Sequence, residues 1–438
     1  MNNIKEYIEF KNYKLIIHIA IPMILSNIST PLLGLMDTSI IGRVSIEQIG
    51  AIAIGSTLLS FLYFCFGFLR MGTTGLIAQA WGKKDYSRIE NIIHNNLFLA
   101  IICGLICIPI FIIFIDFIII LFSDNLLIQN FTKSYIKIRI FGSPATFINF
   151  VILGILLGSN KPWFVFKLVL FINCINIILD LFLGMYLGLN LIGIAYGTVI
   201  SEYFGVILGL YYINTIFSWV NFIKKRNIIK KKFNNILKSN INLFIRTALI
   251  LISILMLTAI GSRLGETILA ANAILLILQM FLSYSLDGFA QAAEVLVGNE
   301  YGRKNKNKMK NIIIFSGIIS LVFAIFYSII FYFFSYNIIT LITPINDILL
   351  EIKLYIPWII LSPLISFLSF HLDGVFIGAN KTKIMRNTVI LSFIIYLIAL
   401  LILVPLYGNH GLWCSFIIFM FFRGVLLFIN QKKLYIFN

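Results

Sequence analysis

Residues 154–161 read GILLGSNK and residues 374–381 read GVFIGANK, so that two glycines, an asparagine and a lysine recur in one register at an offset of 220 residues. Comparison of the whole chain with itself at that offset brings out further pieces. Gly82-Lys83-Lys84 matches Gly302-Arg303-Lys304, Ala51-x-Ala53-Ile54 matches Ala271-x-Ala273-Ile274, and Tyr135 matches Tyr355. The Ser143-Pro144 step returns one residue out of phase at Ser362-Pro363. The chain is a duplicated unit.

What is duplicated follows from hydropathy. Of 438 residues, 60% are hydrophobic and 12% charged, with a mean hydropathy of +0.99. Soluble domains carry roughly 25% charged residues, so this is a polytopic membrane protein. Apolar runs fall at roughly 15–41, 46–69, 91–120, 133–158, 162–187, 191–216, 241–262, 268–298, 311–335, 348–379, 386–406 and 411–430. Each is long enough to cross a hydrocarbon core of ~30 Å as a helix. Lipid offers the backbone no partners, so each run is expected to be helical.

The expected fold class is therefore all-α, a polytopic membrane protein with twelve transmembrane helices in two parallel-related six-helix bundles. Residues 1–216 form the N-terminal lobe, 217–240 a basic cytoplasmic linker and 241–438 the C-terminal lobe. Six spans per half return the chain to the side where it began, so the repeats share one orientation. Two such bundles can enclose a cavity and rock to open it to either side in turn, the architecture of an alternating-access transporter. Gly154 and Gly158, like Gly374 and Gly378, have the small-xxx-small spacing that lets helices approach closely.

The formal charge of +17 would suggest nucleic acid in a soluble protein, but its distribution argues otherwise. Most Lys and Arg fall at the termini and in the loops after spans 2, 4, 6, 8 and 10, whereas Arg43, Lys133, Arg263 and Lys353 lie in the opposite loops. That bias predicts cytoplasmic termini. The stretch from Lys224 to Lys238 then reads as a solvated inner loop able to touch anionic lipid, and no nucleic-acid partner is expected. No cleavable signal peptide is evident, and span 1 is expected to stay as an anchor. The five cysteines all fall within spans and read as packing residues. Heavy use of Ile, Asn, Lys and Phe suggests a bacterial origin, hence an inner-membrane location.

The intramembrane acids carry the functional signal. An Asp at a helix centre costs about 2.5–3.5 kcal/mol on insertion scales, so such residues usually mark an ion or substrate path. Asp37, Asp180, Asp287 and Asp373 qualify, and at the repeat offset they meet Leu257, Leu400, Gly67 and Leu153. The halves share a scaffold but not its chemistry. Asn173, Asn176 and Asp180 are spaced by three and four residues and share one face of span 5. Thr198 and Asp37 lie at similar depth. Such a cluster could share a proton at neutral pH, or ligate a hard cation such as Na⁺ through its oxygens. Pro31 cannot donate to the carbonyl of Asn27 and loosens span 1 six residues before Asp37, so a bend there is expected to follow the state of Asp37.

In the second half, Asp287 in SLDGFAQAAE lies near the middle of span 8, with Glu294 two turns on along the same face, and Asp373 follows His371 in span 10. These acids are candidates for a cavity that attracts cationic solutes, helped by aromatic faces. Arg70 reads as snorkelling to the headgroups, and Glu202 and Arg423 as members of structural ion pairs.

The stretches PMILSNISTPLLGLMDTSIIG, FLRMGTTGLIAQAWG, NIILDLFLG, SLDGFAQAAE and LDGVFIGANK together resemble the DinF-type branch of the multidrug and toxic compound extrusion (MATE) family. The resemblance implies cation-coupled export of organic, often cationic, compounds by a bent first helix and two lobes. It also implies that Asp37, Asn176, Asp180 and Thr198 hold the coupling cation, with Asn173 and Pro31 in support. No cofactor is expected beyond the coupling ion, H⁺ or Na⁺, and the unit is expected to work as a monomer. A lipid-linked precursor flippase is the alternative, though it would favour a more basic cavity.

No enzymatic activity is expected, because His18, His94, His371 and His410 are scattered and form no nucleophile–base or metal constellation. An ATP-driven pump is disfavoured as well. Six residues separate Gly75 from Gly82 where a phosphate loop has four, and Lys84 follows Lys83 where it needs Ser or Thr.

Overall fold

The computed structural model describes residues 13–29, 45–120, 122, 124–217 and 230–437. Among these residues the chain is helical almost throughout. The helices are α1 (Tyr13–Ser29), α2 (Ile46–Cys65), α3 (Phe68–Lys83), α4 (Tyr86–Ile120), α5 (Leu126–Arg139), α6 (Ser143–Gly158), α7 (Pro162–Leu179), α8 (Asn190–Phe217), α9 (Lys230–Leu264), α10 (Glu266–Gly302), α11 (Lys306–Ile342), α12 (Asn346–Gly378) and α13 (Thr382–Ile429).

Ten of the helical stretches among the described residues are long and apolar enough to cross a membrane. The shorter α1 adds a further apolar helix. The last stretch is interrupted at Gly408, whose φ of 54° and ψ of −128° lie outside the helical region, and this separates the two spans expected at 386–406 and 411–430. Described helices thus fall in each of the twelve expected segments, in the first only as far as Ser29. The expected 217–240 linker differs: the helix α9 already begins at Lys230, and residues 218–229 lie outside the described residues.

The polypeptide divides into two compact units, one of Leu25–Asn240 and one of Met1–Ile24 with Ile241–Asn438. One division falls at 240/241. At the other end the residues before Leu25 go with the second unit: Tyr13 meets the Phe315 ring edge-on at 5.0 Å, and a Cβ on Gly288 would lie 3.2 Å from the Ala20 carbonyl oxygen. In the first unit α6 packs on α3, α4 and α8, and α7 on α8. In the second, α12 is the central element, packed on α10, α11 and α13. Outward faces are apolar, as at Ile113, Phe117, Tyr332 and Leu401, which suits contact with lipid.

The duplication read from sequence is stereochemical. A Cβ on Gly154 would come within 2.7 Å of the Arg70 carbonyl oxygen, and one on Gly158 within 2.8 Å of that of Thr74. In the second unit Gly374 meets the carbonyl oxygen of Ala290, and Gly378 that of Glu294. Every residue in the second set stands 220 positions after its counterpart. The helix ends repeat too: Lys84 and Lys304 adopt φ of 58° and 57°, Asn160 and Asn380 φ of 60° and 52°. Lys84 and Lys304 are each followed by a cap, Asp85 accepting from Arg88 N–H at 3.0 Å and Asn305 from Lys308 N–H at 3.1 Å. A left-handed residue closes one helix and a polar side chain opens the next.

Candidate functional site

The site expected in the first unit is assembled where α7 meets α8. At the end of α7 the backbone widens into a π-helical stretch, Asp180–Tyr186, with Leu187 N–H bonded five residues back to the Phe182 carbonyl at 2.9 Å. Such widenings are frequent at functional sites. Asp180 opens this stretch and is fully buried, as is Asn176 one turn before it.

α8 can come this close because it carries small residues at every fourth position, Gly193, Gly197, Ser201, Gly205 and Gly209. A Cβ on Gly193 would lie 2.6 Å from the backbone of Leu183 and Gly184, and one on Gly197 would run into Asp180 Oδ1. The neighbour of Gly197 is Thr198, 4% exposed. Asn176 Nδ2 donates to Thr198 Oγ1 at 3.0 Å, and that hydroxyl donates to the Ile194 carbonyl at 3.0 Å. Asn176, Asp180 and Thr198 are therefore brought together in one buried polar cluster. Asn176 Oδ1 has no hydrogen-bond partner among the described residues, a buried acceptor oxygen that can take a proton-bearing group or a cation. Asn173, half-buried on the same face, donates to the Ser29 carbonyl at 3.4 Å, tying α7 to the end of α1. Asp37 and Pro31 lie outside the described residues.

The acids of the second unit are placed differently from one another. Asp287 is half-buried on α10, and Glu294, two turns on, is 3% exposed. Asp373 sits between two arginines: Arg423 Nη2 donates to Asp373 Oδ2 at 2.6 Å and Arg246 Nη2 donates to the same oxygen. All three side chains are buried. An acid facing a cationic solute would present a free negative charge, whereas this cluster of one carboxylate and two guanidiniums is net positive. Its immediate role is to join α9, α12 and α13. Arg423 thus finds the ion-pair partner that its sequence position suggested. Glu202 does not: its Oε2 accepts from Asn149 Nδ2 at 2.7 Å, and among the described residues it makes no ion pair. The sequence signals that could have located these contacts are the glycine ladder of α8 and the single Asn in the apolar α6.

One family model, MatE, matches residues 22–182 and then matches residues 243–403. The chain belongs to the MatE family. The two matches are of equal length and reproduce the internal repeat to within one residue. This MatE chain is 34% identical to the DNA damage-inducible protein F of Escherichia coli, over 94% of the chain and 90% of that protein. It is 25% identical to the probable multidrug resistance protein NorM of Pasteurella multocida, over 98% of the chain and 96% of that protein. Its fold matches the bent form of the Vibrio cholerae MATE transporter VcmN with a TM-score of 0.88 at 15% identity, covering 98% of both chains. The resemblance drawn from separated motifs is borne out, and a multi-pass membrane protein with the MatE fold is established.

Proposed function

We propose that this MatE protein is a secondary active exporter of organic, often cationic, compounds, driven by exchange for H⁺ or Na⁺ through alternating access. The observation that carries the reading is the buried Asn176–Asp180–Thr198 cluster, present in one half of a duplicated scaffold and absent from the other. A duplicated fold alone supplies two similar bundles; transport driven by an ion gradient needs a site whose occupancy differs between two states. In this reading the carboxylate of Asp180, the amide oxygen of Asn176 and the hydroxyl of Thr198 hold the coupling cation, with Asp37 as the fourth member and Pro31 as the point where the first helix bends. Asp287 and Glu294 contribute negative charge for a cationic substrate. The protein works as a monomer in a bacterial inner membrane with both termini in the cytoplasm, as the basic loops suggest. The export proteins among its relatives give no support to the lipid-flippase alternative.

The test is export of a fluorescent cationic dye from proteoliposomes under an imposed proton or sodium gradient, with Asp37→Asn and Asp180→Asn compared with wild type. Transport driven by one gradient and lost in both variants supports the reading and names the ion. Dye movement that ignores both gradients sinks it.

A further inference from the structure

We propose that Glu202 and Asn149 form a second station for the coupling cation, one turn of α8 beyond Thr198; the proposal rests on the coupling reading of the Asn176–Asp180–Thr198 cluster. Thr198 and Glu202 are four residues apart and so are neighbours on one helix face. The turn of α8 that carries Gly197 and Thr198 meets Asp180 and Asn176. The next turn meets Asn149 of α6, whose Nδ2 donates both to Glu202 Oε2 at 2.7 Å and to the Glu202 carbonyl at 2.9 Å. Gly205, a further turn on, leaves room for this amide: a Cβ there would stand 3.1 Å from Asn149 Nδ2 and 2.6 Å from Ile172 of α7.

Two features separate this pair from an ordinary packing contact. Asn149 is 3% exposed, and its Oδ1 has no hydrogen-bond partner among the described residues. The buried oxygen of Asn176 above it is in the same condition. The second feature is charge. The groups around Glu202 are Asn149 and Thr146 on α6 and, at longer range, Arg139 on α5 and Tyr63 on α2. Arg139 Nε donates to Tyr135 Oη at 3.3 Å, its carbonyl accepts from Tyr63 Oη at 3.2 Å, and no ion pair joins it to Glu202 among the described residues. A carboxylate at membrane depth with only neutral donors in contact is costly to keep charged. A proton, or a hard cation shared between Glu202 and the Asn149 amide oxygen, cancels the charge and satisfies the orphaned acceptor together. The repeat offset places Phe422 and Ser369 opposite Glu202 and Asn149, so the second station, like the first, belongs to one half only.

Glu202→Gln keeps an acceptor for Asn149 Nδ2 and removes the charge; Asn149→Leu removes the amide oxygen and leaves the acid. Each full-length variant is reconstituted for gradient-driven dye export, and assayed in detergent for dye affinity and melting temperature. Export is expected to fall by about tenfold or more in both, as when a group orienting a bound ion is lost, with dye affinity as in wild type in both, melting temperature as in wild type in Glu202→Gln, and partial export kept by Glu202→Asp. Wild-type export in both variants overturns the second station, whatever Asp180→Asn does. Loss in Glu202→Gln with wild-type export in Asp180→Asn removes the coupling role of the upper cluster and the two-station path with it. Should Glu202→Gln fail to fold, wild-type export by Asn149→Leu overturns the proposal by itself.

Discussion

Gly374 of α12 is seated directly on the carbonyl oxygen of Ala290 in α10, and 220 residues earlier Gly154 of α6 is seated on that of Arg70 in α3. The same absence of a side chain makes the central helix contact of both units. Gly374→Ala would press a methyl group on backbone that cannot swing aside, and overpacking of this kind costs about 1–3 kcal/mol. The melting temperature of the purified protein is expected to drop more for Gly374→Ala than for Gly154→Ala. The methyl at 154 has slightly more room before the Arg70 oxygen, at 2.7 Å. Equal melting temperatures for wild type and Gly374→Ala would contradict the close approach.

The Asp373 carboxylate holds two guanidiniums on one oxygen. Asp373→Asn takes away the carboxylate to which the buried Arg246 and Arg423 both donate, a loss of about 3–5 kcal/mol by analogy with other broken buried pairs. The yield of monodisperse protein on size-exclusion chromatography should collapse in Asp373→Asn. A variant that elutes and melts as wild type would show that the cluster is not what joins α9, α12 and α13.

At the first cluster, Gly197→Ala tests geometry without touching an ionisable group. Its methyl would displace the Asp180 carboxylate, and gradient-driven dye export should fall by about tenfold to a hundredfold, in the range found when ion-orienting groups are disturbed. Gly50→Ala on α2 is the control, since a Cβ there meets only the Ile128 side chain, at ordinary van der Waals distance. Comparable export by both variants would argue against a role for the position of Asp180.

Thr198→Val keeps shape and removes the hydroxyl that accepts from Asn176. A buried donor left without its acceptor costs about 1–3 kcal/mol, so Thr198→Val should melt lower and export more slowly, and Thr198→Ser should restore both. Failure of serine to restore export while restoring stability would separate packing of the methyl group from ligation by the oxygen.

Much of this was open to reading in one dimension. The Gly-xxx-Gly-x-Asn-Lys repeat fixed the duplication because a close helix approach and a left-handed turn each demand particular residues. The three- and four-residue spacing of Asn173, Asn176 and Asp180 fixed their shared face, because helical periodicity is local. The rotation of α12 about its own axis was not legible in this way. Nothing in the apolar context of Asp373, which it shares with Asp287, announces that Arg246 and Arg423, 127 and 50 residues away, both donate to it.

By itself the sequence determined a polytopic, duplicated, helical membrane protein with acids inside its apolar segments, since hydropathy and turn chemistry act over a few neighbouring residues. Only the tertiary structure decided which partners those acids have. It chose the arginine clamp for Asp373, the amide of Asn149 for Glu202, and the π-helical widening that sets Asp180 beside Gly197. Partners of this kind depend on the rotation and the sub-ångström approach of whole helices, which the packing of many side chains settles together and no local pattern records.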